Sequence, residues 1–327
     1  MKQKPRLLFV HISPEYPSFI KQDMSILSKY FEVGEVLYRT RFDISKIVRG
    51  TLWADITLSW FVWDQAAWAT RLSRLFGRKS VVVVGGFDVV KMPEISYGNL
   101  LNPHAAARTF FALRHADQVV AVSKSLKEDA ERFCGRHDIK LVYHGFDVTR
   151  FSPADSKESI ALTVGTVTRS NLKRKGIETF IKAAEYAPEI EFRLVGMIDS
   201  TIEHELKKYV PKNVTLVGQV DFKTLLEEMR RAKVYVQVSG HEGFGCSLAE
   251  AMLCASVPVV TSAGAIPEVV GDTGLYVPLW DPKSTAEAIK NAMLKKDGMH
   301  ARERIMSMFP IEKREKELVA TIRNLIM

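Results

Sequence analysis

Apolar residues in this chain fall in short unbroken runs that alternate with segments of helical period. In the first half, the runs at 6–12, 55–62, 80–86, 118–123 and 139–143 predict buried strands. The spacing between them predicts helices over 19–30, 65–76, 103–115 and 126–133. The second half repeats the alternation. Strands are expected at 160–165, 191–195, 214–217, 234–238 and 258–261, and helices at 177–187, 202–209, 223–231, 248–254 and 285–295. Runs that are apolar throughout, rather than at every second residue, mean strands covered on both faces, and hence parallel sheets flanked by helices. The fold class is therefore α/β, with two Rossmann-like doubly wound domains. Between the two patterns lies a polar, proline-bearing stretch, Ser152 to Ser156. It sets the expected domains at 1–155 and 156–310, and 311–327 is a closing helix expected to pack back toward the first domain. Two such domains facing across a cleft would place a ligand at the carboxyl ends of their strands.

Composition narrows the picture. A length of 327 residues suits two domains, and 46% hydrophobic with 26% charged residues is the make-up of a water-soluble globular protein. Cys134, Cys246 and Cys254 form no CxxC pair and leave an odd count. A disulfide framework or structural zinc is not expected, and a reducing cytoplasm fits. The apolar run 7–12 is too short for a signal peptide, and no stretch approaches the roughly 20 apolar residues of a membrane span. The net charge of +8 is uneven: residues 1–155 hold 22 Lys and Arg against 16 Asp and Glu. Either this half meets an anionic surface or it is simply a basic, solvated one. Nucleic acid is not among the expected partners.

The densest chemistry lies in residues 239–250, SGHEGFGCSLAE, between an expected strand and an expected helix. Gly243 and Gly245 allow a tight turn and close approach to a ligand. The free N–H groups and dipole of the helix start favour a phosphate there. Glu242 and Glu250 flank the loop and suit sugar hydroxyls, not phosphate. Ser247-x-x-Glu250 also reads as a capping box that merely satisfies the helix end. A second glycine turn at Gly264 follows the next strand, within TSAGAIPEVVGDTGLYVP.

These segments together resemble the C-terminal domain of the family 4 retaining glycosyltransferases, enzymes of the GT-B architecture. Glu242 and Glu250 match the family's E-x7-E pair. The resemblance implies that Glu250 holds the donor ribose, that Glu242 lies near the donor sugar, and that Gly243, Phe244, Gly245 and Cys246 line the sugar and phosphate site. The family's glycine strand-end, arginine and Lys-Gly match Gly165 and Lys175-Gly176. Thr166 stands where the arginine is expected, with Arg169 close enough to replace it. Two cations suit a diphosphate leaving group whose charge grows in the transition state. Lys173, Arg174 and Lys175 also read as a solvated basic run. Weaker likeness extends to 116–123 and 143–153.

Two departures stand out. Residues 13–17 (SPEYP) replace the family's Gly-Gly turn, and Gly85-Gly86-Phe87-Asp88 replaces a His-Gly-x-Asp segment. Gly85 stands at the histidine. That role passes to a backbone group, to Asp88 or to His11, or it is lost. Basic and aromatic residues also recur at helical spacing, around Trp60–Lys79 and Arg39–Arg49. Such helices either pack on the sheet with wet arginines or lie on an anionic membrane.

The expectation is a retaining glycosyltransferase using a nucleotide diphosphate sugar, with a glycan, lipid or small-molecule acceptor. Glu242, Lys175 and Asp88 are the candidate catalytic residues. Arg169, Gly165, Gly243, Phe244, Gly245, Cys246, Glu250 and Gly264 are the candidate binding residues. No cofactor and no metal are required. The location is cytoplasmic, with peripheral attachment to the inner face of a membrane as a variant. A non-catalytic nucleotide-sugar-binding protein and a nucleotide-sugar epimerase are the alternatives.

Overall fold

The structure, a computed structural model, describes residues 4–13, 18–295 and 298–326. Pro14 to Pro17 of the expected first turn lie outside the described residues. The chain divides into two compact units: Met1–Gly145 with Glu312–Met327, and Phe146–Ile311.

The first unit is built on β1 (Arg6–His11), β2 (Glu32–Leu37), β3 (Ile56–Trp60), β4 (Lys79–Val84), β5 (Gln118–Ala121) and β6 (Lys140–Leu141). They form one sheet in the order β2-β1-β3-β4-β5-β6, with all pairs parallel. Helices α1 (Ser18–Tyr30), α2 (Ile44–Trp53), α3 (Asp64–Leu75), α4 (Pro103–His115) and α5 (Lys124–Cys134) connect them. Val81 to Val84 of β4 are wholly buried, as an unbroken apolar run requires. Asn102 and Ser123 accept backbone N–H groups and start α4 and α5, while Gly135 at φ +65° ends α5.

The second unit repeats this design with β7 (Glu158–Val164), β8 (Glu191–Val195), β9 (Val214–Gly218), β10 (Ala232–Gln237), β11 (Val257–Val260) and β12 (Leu275–Tyr276). The order is β12-β11-β10-β7-β8-β9, again parallel throughout. Its helices are α6 (Arg169–Arg174), α7 (Ile177–Ala183), α8 (Ser200–Tyr209), α9 (Phe222–Arg231), α10 (Cys246–Leu253), α11 (Ile266–Val270), α12 (Pro282–Leu294) and α13 (Met299–Met308). Two parallel six-stranded sheets with alternating helices make two Rossmann-like units, the expected α/β class.

The division does not fall at the polar stretch 152–156. Phe146 already belongs to the second unit: its N–H donates to Phe309 O at 2.9 Å, and its carbonyl accepts from Ile311 at 3.1 Å. Phe151 is buried edge-on against Phe222. The polarity of 152–156 therefore marks a surface stretch within that unit. The last helix, α14 (Ile311–Ile326), contributes to the first unit through Arg314. Its guanidinium donates to both Asp23 carboxylate oxygens at 2.6 Å, and both side chains are fully buried. Trp60 Nε1 donates to the same carboxylate at 2.8 Å.

The sequence pattern missed β2 and β12, which sit at sheet edges. β2 exposes Glu32 and Glu35, so its apolar signal is broken. The basic helices pack on their sheet with the arginines outward. Ile47 and Leu72 pack inward while Arg71 and Arg74 are exposed, and Arg71 stacks over Trp68 and Phe111. Phe42, in contact with Arg41, and Leu75, next to Arg74, nevertheless stand 77% and 71% exposed. No helix among the described residues is long and apolar enough to cross a membrane.

Candidate functional site

In the second unit the carboxyl ends of β7 and β10 bring two loops together. After β7 the chain passes Gly165 and Thr166. It then enters α6, where the Thr168 hydroxyl accepts the Asn171 N–H at 3.2 Å. Lys175 follows α6, and Gly176 at φ +67° turns the chain into α7. A Cβ on Gly176 would stand 2.1 Å from Val238 O, so only glycine lets this turn touch the end of β10. The loops are joined by Gly240 N–H donating to Arg174 O at 2.7 Å and by the Ser239 hydroxyl reaching Lys175 O at 3.4 Å.

This junction places Lys175 on Glu242. Lys175 Nζ donates to Glu242 Oε1 at 3.2 Å, and the Ser239 hydroxyl donates to the same oxygen at 2.9 Å. The Glu242 side chain is only 11% exposed. Burial raises its pKa, but the charges of Lys175 and Arg174 and the hydrogen bonds from Ser239 and Lys175 outweigh this. The carboxyl is held below its ordinary value and stays ionised. Gly165 matters here as well, since a Cβ there would press on the Lys175 side chain at 3.0 Å.

The second glycine turn supports the backbone of the same residue. Gly264 has φ +57°, and a Cβ on it would meet Glu242 O at 2.3 Å. Ala265 N–H donates to that carbonyl at 2.9 Å. The Thr261 hydroxyl donates to Ser239 O at 2.6 Å. The backbone on both sides of Glu242 is thus fixed from β11.

Beyond Glu242 the loop closes through Gly245, at φ +97°, directly into α10 at Cys246. Gly245 is the N-cap and no side chain caps this helix, so the Ser247–Glu250 capping box does not form. Glu250 lies past the first turn and remains partly exposed. Burial pushes its pKa up to about 7, against a smaller opposing effect of Arg150. Tyr235 of β10 is wholly buried. Burial drives its phenol far above its ordinary value, and the charges of Glu242 and Glu250 both add to this. The two carboxylates therefore act on one region of the unit.

Several expected residues take other positions. Arg169 is exposed and donates to Glu205 at 3.0 Å on the surface. Arg174, read as part of a solvated run, is the second cation whose charge reaches Glu242, and its guanidinium is held by Asn171 Oδ1 at 2.7 and 3.0 Å. The Phe244 ring is buried against Phe146 and Phe309, so it packs the unit instead of lining a site. Ser239 was not singled out from the sequence. Its signal was its position, the first polar residue after an apolar strand.

In the first unit, Gly85 and Asp88 follow β4. Asp88 is fully buried, and its Oδ2 accepts the Gly85 N–H at 2.8 Å. Burial raises its pKa to about 6, against backbone hydrogen bonds that lower it. It braces its own turn and is not presented at the surface. His11 is also buried, with Nε2 2.8 Å from Glu35 Oε1. A Cβ at Gly85 would meet the Phe61 ring at 2.4 Å, so an aromatic ring occupies the space of a side chain here. No group of three or more His, Cys, Asp or Glu side chains among the described residues is placed to hold a metal ion.

Residues 158–295, which hold the Lys175–Glu242 junction and both glycine turns, match the family model described as glycosyl transferases group 1. The segment is thus similar to the glycosyl transferases group 1. Curated relatives agree. The alpha-maltose-1-phosphate synthase of Mycolicibacterium smegmatis is 29% identical over 61% of this chain and 60% of its own length. The phosphatidyl-myo-inositol mannosyltransferase of the same organism is 31% identical over 64% of this chain and 63% of its own length. The chain thus spans under two thirds of the length of these two relatives. Among solved structures, Anabaena Alr3699/HepE in complex with UDP and glucose superimposes with a TM-score of 0.81 at 17% identity, covering 98% of this chain and 100% of that one. At that identity the likeness shows the fold, and the fold is that of the GT-B glycosyltransferases. The group 1 segment coincides with most of the second unit, so the family match and the candidate donor loops fall on the same residues.

Proposed function

We propose that the protein is a retaining glycosyltransferase that moves a sugar from a nucleoside diphosphate donor to a glycan, lipid or small-molecule acceptor. The observation that carries this reading is the Lys175–Glu242 pair, 3.2 Å apart and fixed by two glycine turns, inside the group 1 segment. An ionised glutamate keeps the lysine oriented at a loop that leads straight into a helix N-terminus. In the proposal, Lys175 and Arg174 stabilise the diphosphate as its charge grows. The backbone N–H groups at the start of α10 bind its oxygens. Glu250 accepts hydrogen bonds from the ribose, and Glu242, with the Gly243–Cys246 backbone, orients the sugar. Asp88 contributes by bracing the Gly85 turn. The acceptor attacks from the face the diphosphate leaves, and the rate rests on positioning and electrostatics, with no metal or side-chain nucleophile invoked.

The relatives support the chemistry by their names, since one is a mannosyltransferase named for phosphatidyl-myo-inositol. A neighbouring structure holds UDP and glucose, which supports a nucleotide sugar as donor. A cytoplasmic location belongs to the same proposal. So does attachment to an anionic membrane through Phe42, Leu75 and the exposed cations around them, including Arg41, Lys46, Arg71 and Arg74. Sedimentation with anionic vesicles at low salt, lost at high salt, tests the attachment, and no sedimentation at low salt contradicts it.

The test of the function is a turnover assay with UDP, GDP and ADP sugars. Steady release of a nucleoside diphosphate in the presence of acceptor glycosides, with an unchanged anomeric configuration in the product, is expected. Tight binding without release would favour a non-catalytic binding protein, and interconversion of the sugar without acceptor an epimerase.

A further inference from the structure

The first unit carries an aromatic residue in a backbone conformation that aromatic residues avoid. Phe61 directly follows β3, and its φ is +64°. For a bulky side chain this is a strained position, and such strain persists only where the surroundings fix it. Gln65 does the fixing. It is fully buried, and its Nε2 donates to both Trp60 O and Phe61 O at 2.9 Å. The strand end is therefore tied down on the two carbonyls that flank the unusual turn.

The neighbouring strand makes room for the ring. Gly85 follows β4, which pairs with β3. A Cβ at Gly85 would stand 2.4 and 2.5 Å from Phe61 ring carbons. Glycine at 85 and the strained turn at 61 are two halves of one arrangement. On its other sides the ring meets Trp60 at 5.5 Å and Phe19 at 6.3 Å, both in edge-type contact. Phe61 still remains partly exposed. It stands at the carboxyl edge of a parallel sheet, where ligands of such sheets bind.

We propose that Phe61 is a specificity-determining residue that offers its ring to the apolar face of a pyranose, with Gly85 as the space that admits it. The reading rests on the glycosyltransferase function proposed above and assigns the sugar-stacking surface to the first unit. The chemistry is that of a ring face with negative quadrupole meeting the electron-poor C–H groups on one side of a sugar. A hydroxyl-lined surface could hold many orientations of a sugar. A fixed flat ring selects sugars whose C–H groups gather on one face.

The test uses the full chain as wild type, Phe61→Ala, Phe61→Trp and Gly85→Ala. Binding of methyl α-D-mannopyranoside, methyl α-D-glucopyranoside and glycerol is followed by saturation-transfer NMR, and binding of UDP, GDP and ADP by calorimetry. At least one pyranoside binds the wild type and glycerol does not. Phe61→Ala weakens that binding by about tenfold, and Phe61→Trp keeps it within about threefold. Gly85→Ala, which displaces the ring, behaves like Phe61→Ala. Nucleotide affinity stays within about twofold in every variant, and the rescue by Phe61→Trp of what Phe61→Ala loses is the readout that a merely structural role would not give. Pyranoside binding unchanged in Phe61→Ala overturns the inference. So does parallel loss of pyranoside and nucleotide binding. A wild type that binds a nucleoside diphosphate but no pyranoside overturns this inference alone. A wild type that binds no nucleoside diphosphate overturns the function beneath it.

Discussion

The carboxyl edges of the two sheets are built from the same parts and put them to opposite use. In the second unit, glycines at 165, 176 and 264 let loops approach one another, and the space they leave brings charge together as Lys175 on Glu242. In the first unit, the glycine at 85 leaves space that an aromatic ring fills, and the nearby carboxylate, Asp88, is turned inward to its own backbone. One edge is polar and electrostatically organised; the other is apolar and held by strain. The difference teaches that equivalent positions of a repeated fold divide labour by what the glycines admit. A charged pair suits a diphosphate, and a flat ring suits the apolar face of a sugar.

The comparison can be broken first at the charged edge. Lys175→Ala is expected to lower nucleoside diphosphate release by on the order of 100-fold or more, the cost of removing one donor from a developing oxyanion. Steady-state kinetics check this. A variant within about threefold of wild type would mean the edge does not serve catalysis. Next in size is Gly264→Ala. A side chain there would be strained at φ +57° and would press on Glu242 O at 2.3 Å. A loss of about 2 kcal/mol is expected in urea unfolding, with donor affinity falling alongside. An unchanged midpoint would show that the turn yields.

Arg174→Ala should weaken donor binding by about tenfold, while Arg169→Ala leaves it within about twofold. Calorimetry separates the two, and the reverse order would restore Arg169 as the second cation.

The smallest effect is a pH dependence. Glu250 has a folded pKa raised to about 7 from an ordinary 4.5. Its ionised form, the one proposed to accept ribose hydroxyls, therefore grows between pH 6 and pH 8, and donor affinity should rise severalfold over that window. The stability term has the opposite sign. The unfolded carboxyl ionises above 4.5 while the folded one resists, so folding is progressively penalised from about pH 4.5 to pH 7. Glu250→Gln should flatten the affinity profile and raise the melting temperature at pH 8 but not at pH 4. A profile unchanged by the substitution would remove Glu250 from the site.

Much of this could be read from the chain beforehand, for a physical reason. Fully buried parallel strands such as 81–84 and 234–236 must be apolar throughout, so alternation with helices is visible without any structure. Edge strands lack that constraint, and β2 was lost with its glutamates. The Glu242–Glu250 spacing and Lys175-Gly176 were legible because loops that approach closely need glycine beside the charge. What was not legible depends on side-chain direction. Arg169 and Arg174 differ only in which way a single short helix turns them, toward Glu205 or onto Asn171. Phe244 sits in a loop motif yet faces inward. Phe61 could not be found from sequence, because nothing in a Trp-Phe-Val run announces a left-handed turn.

The central claim is that the Lys175–Glu242 junction holds a nucleoside diphosphate. The most direct measurement is calorimetric titration of wild type and Lys175→Ala with UDP, GDP and ADP. Saturable binding of at least one of them to the wild type, weakened by on the order of 100-fold in the variant, is the expected result. Equal affinity in both proteins, or binding of none of the three to the wild type, would contradict it.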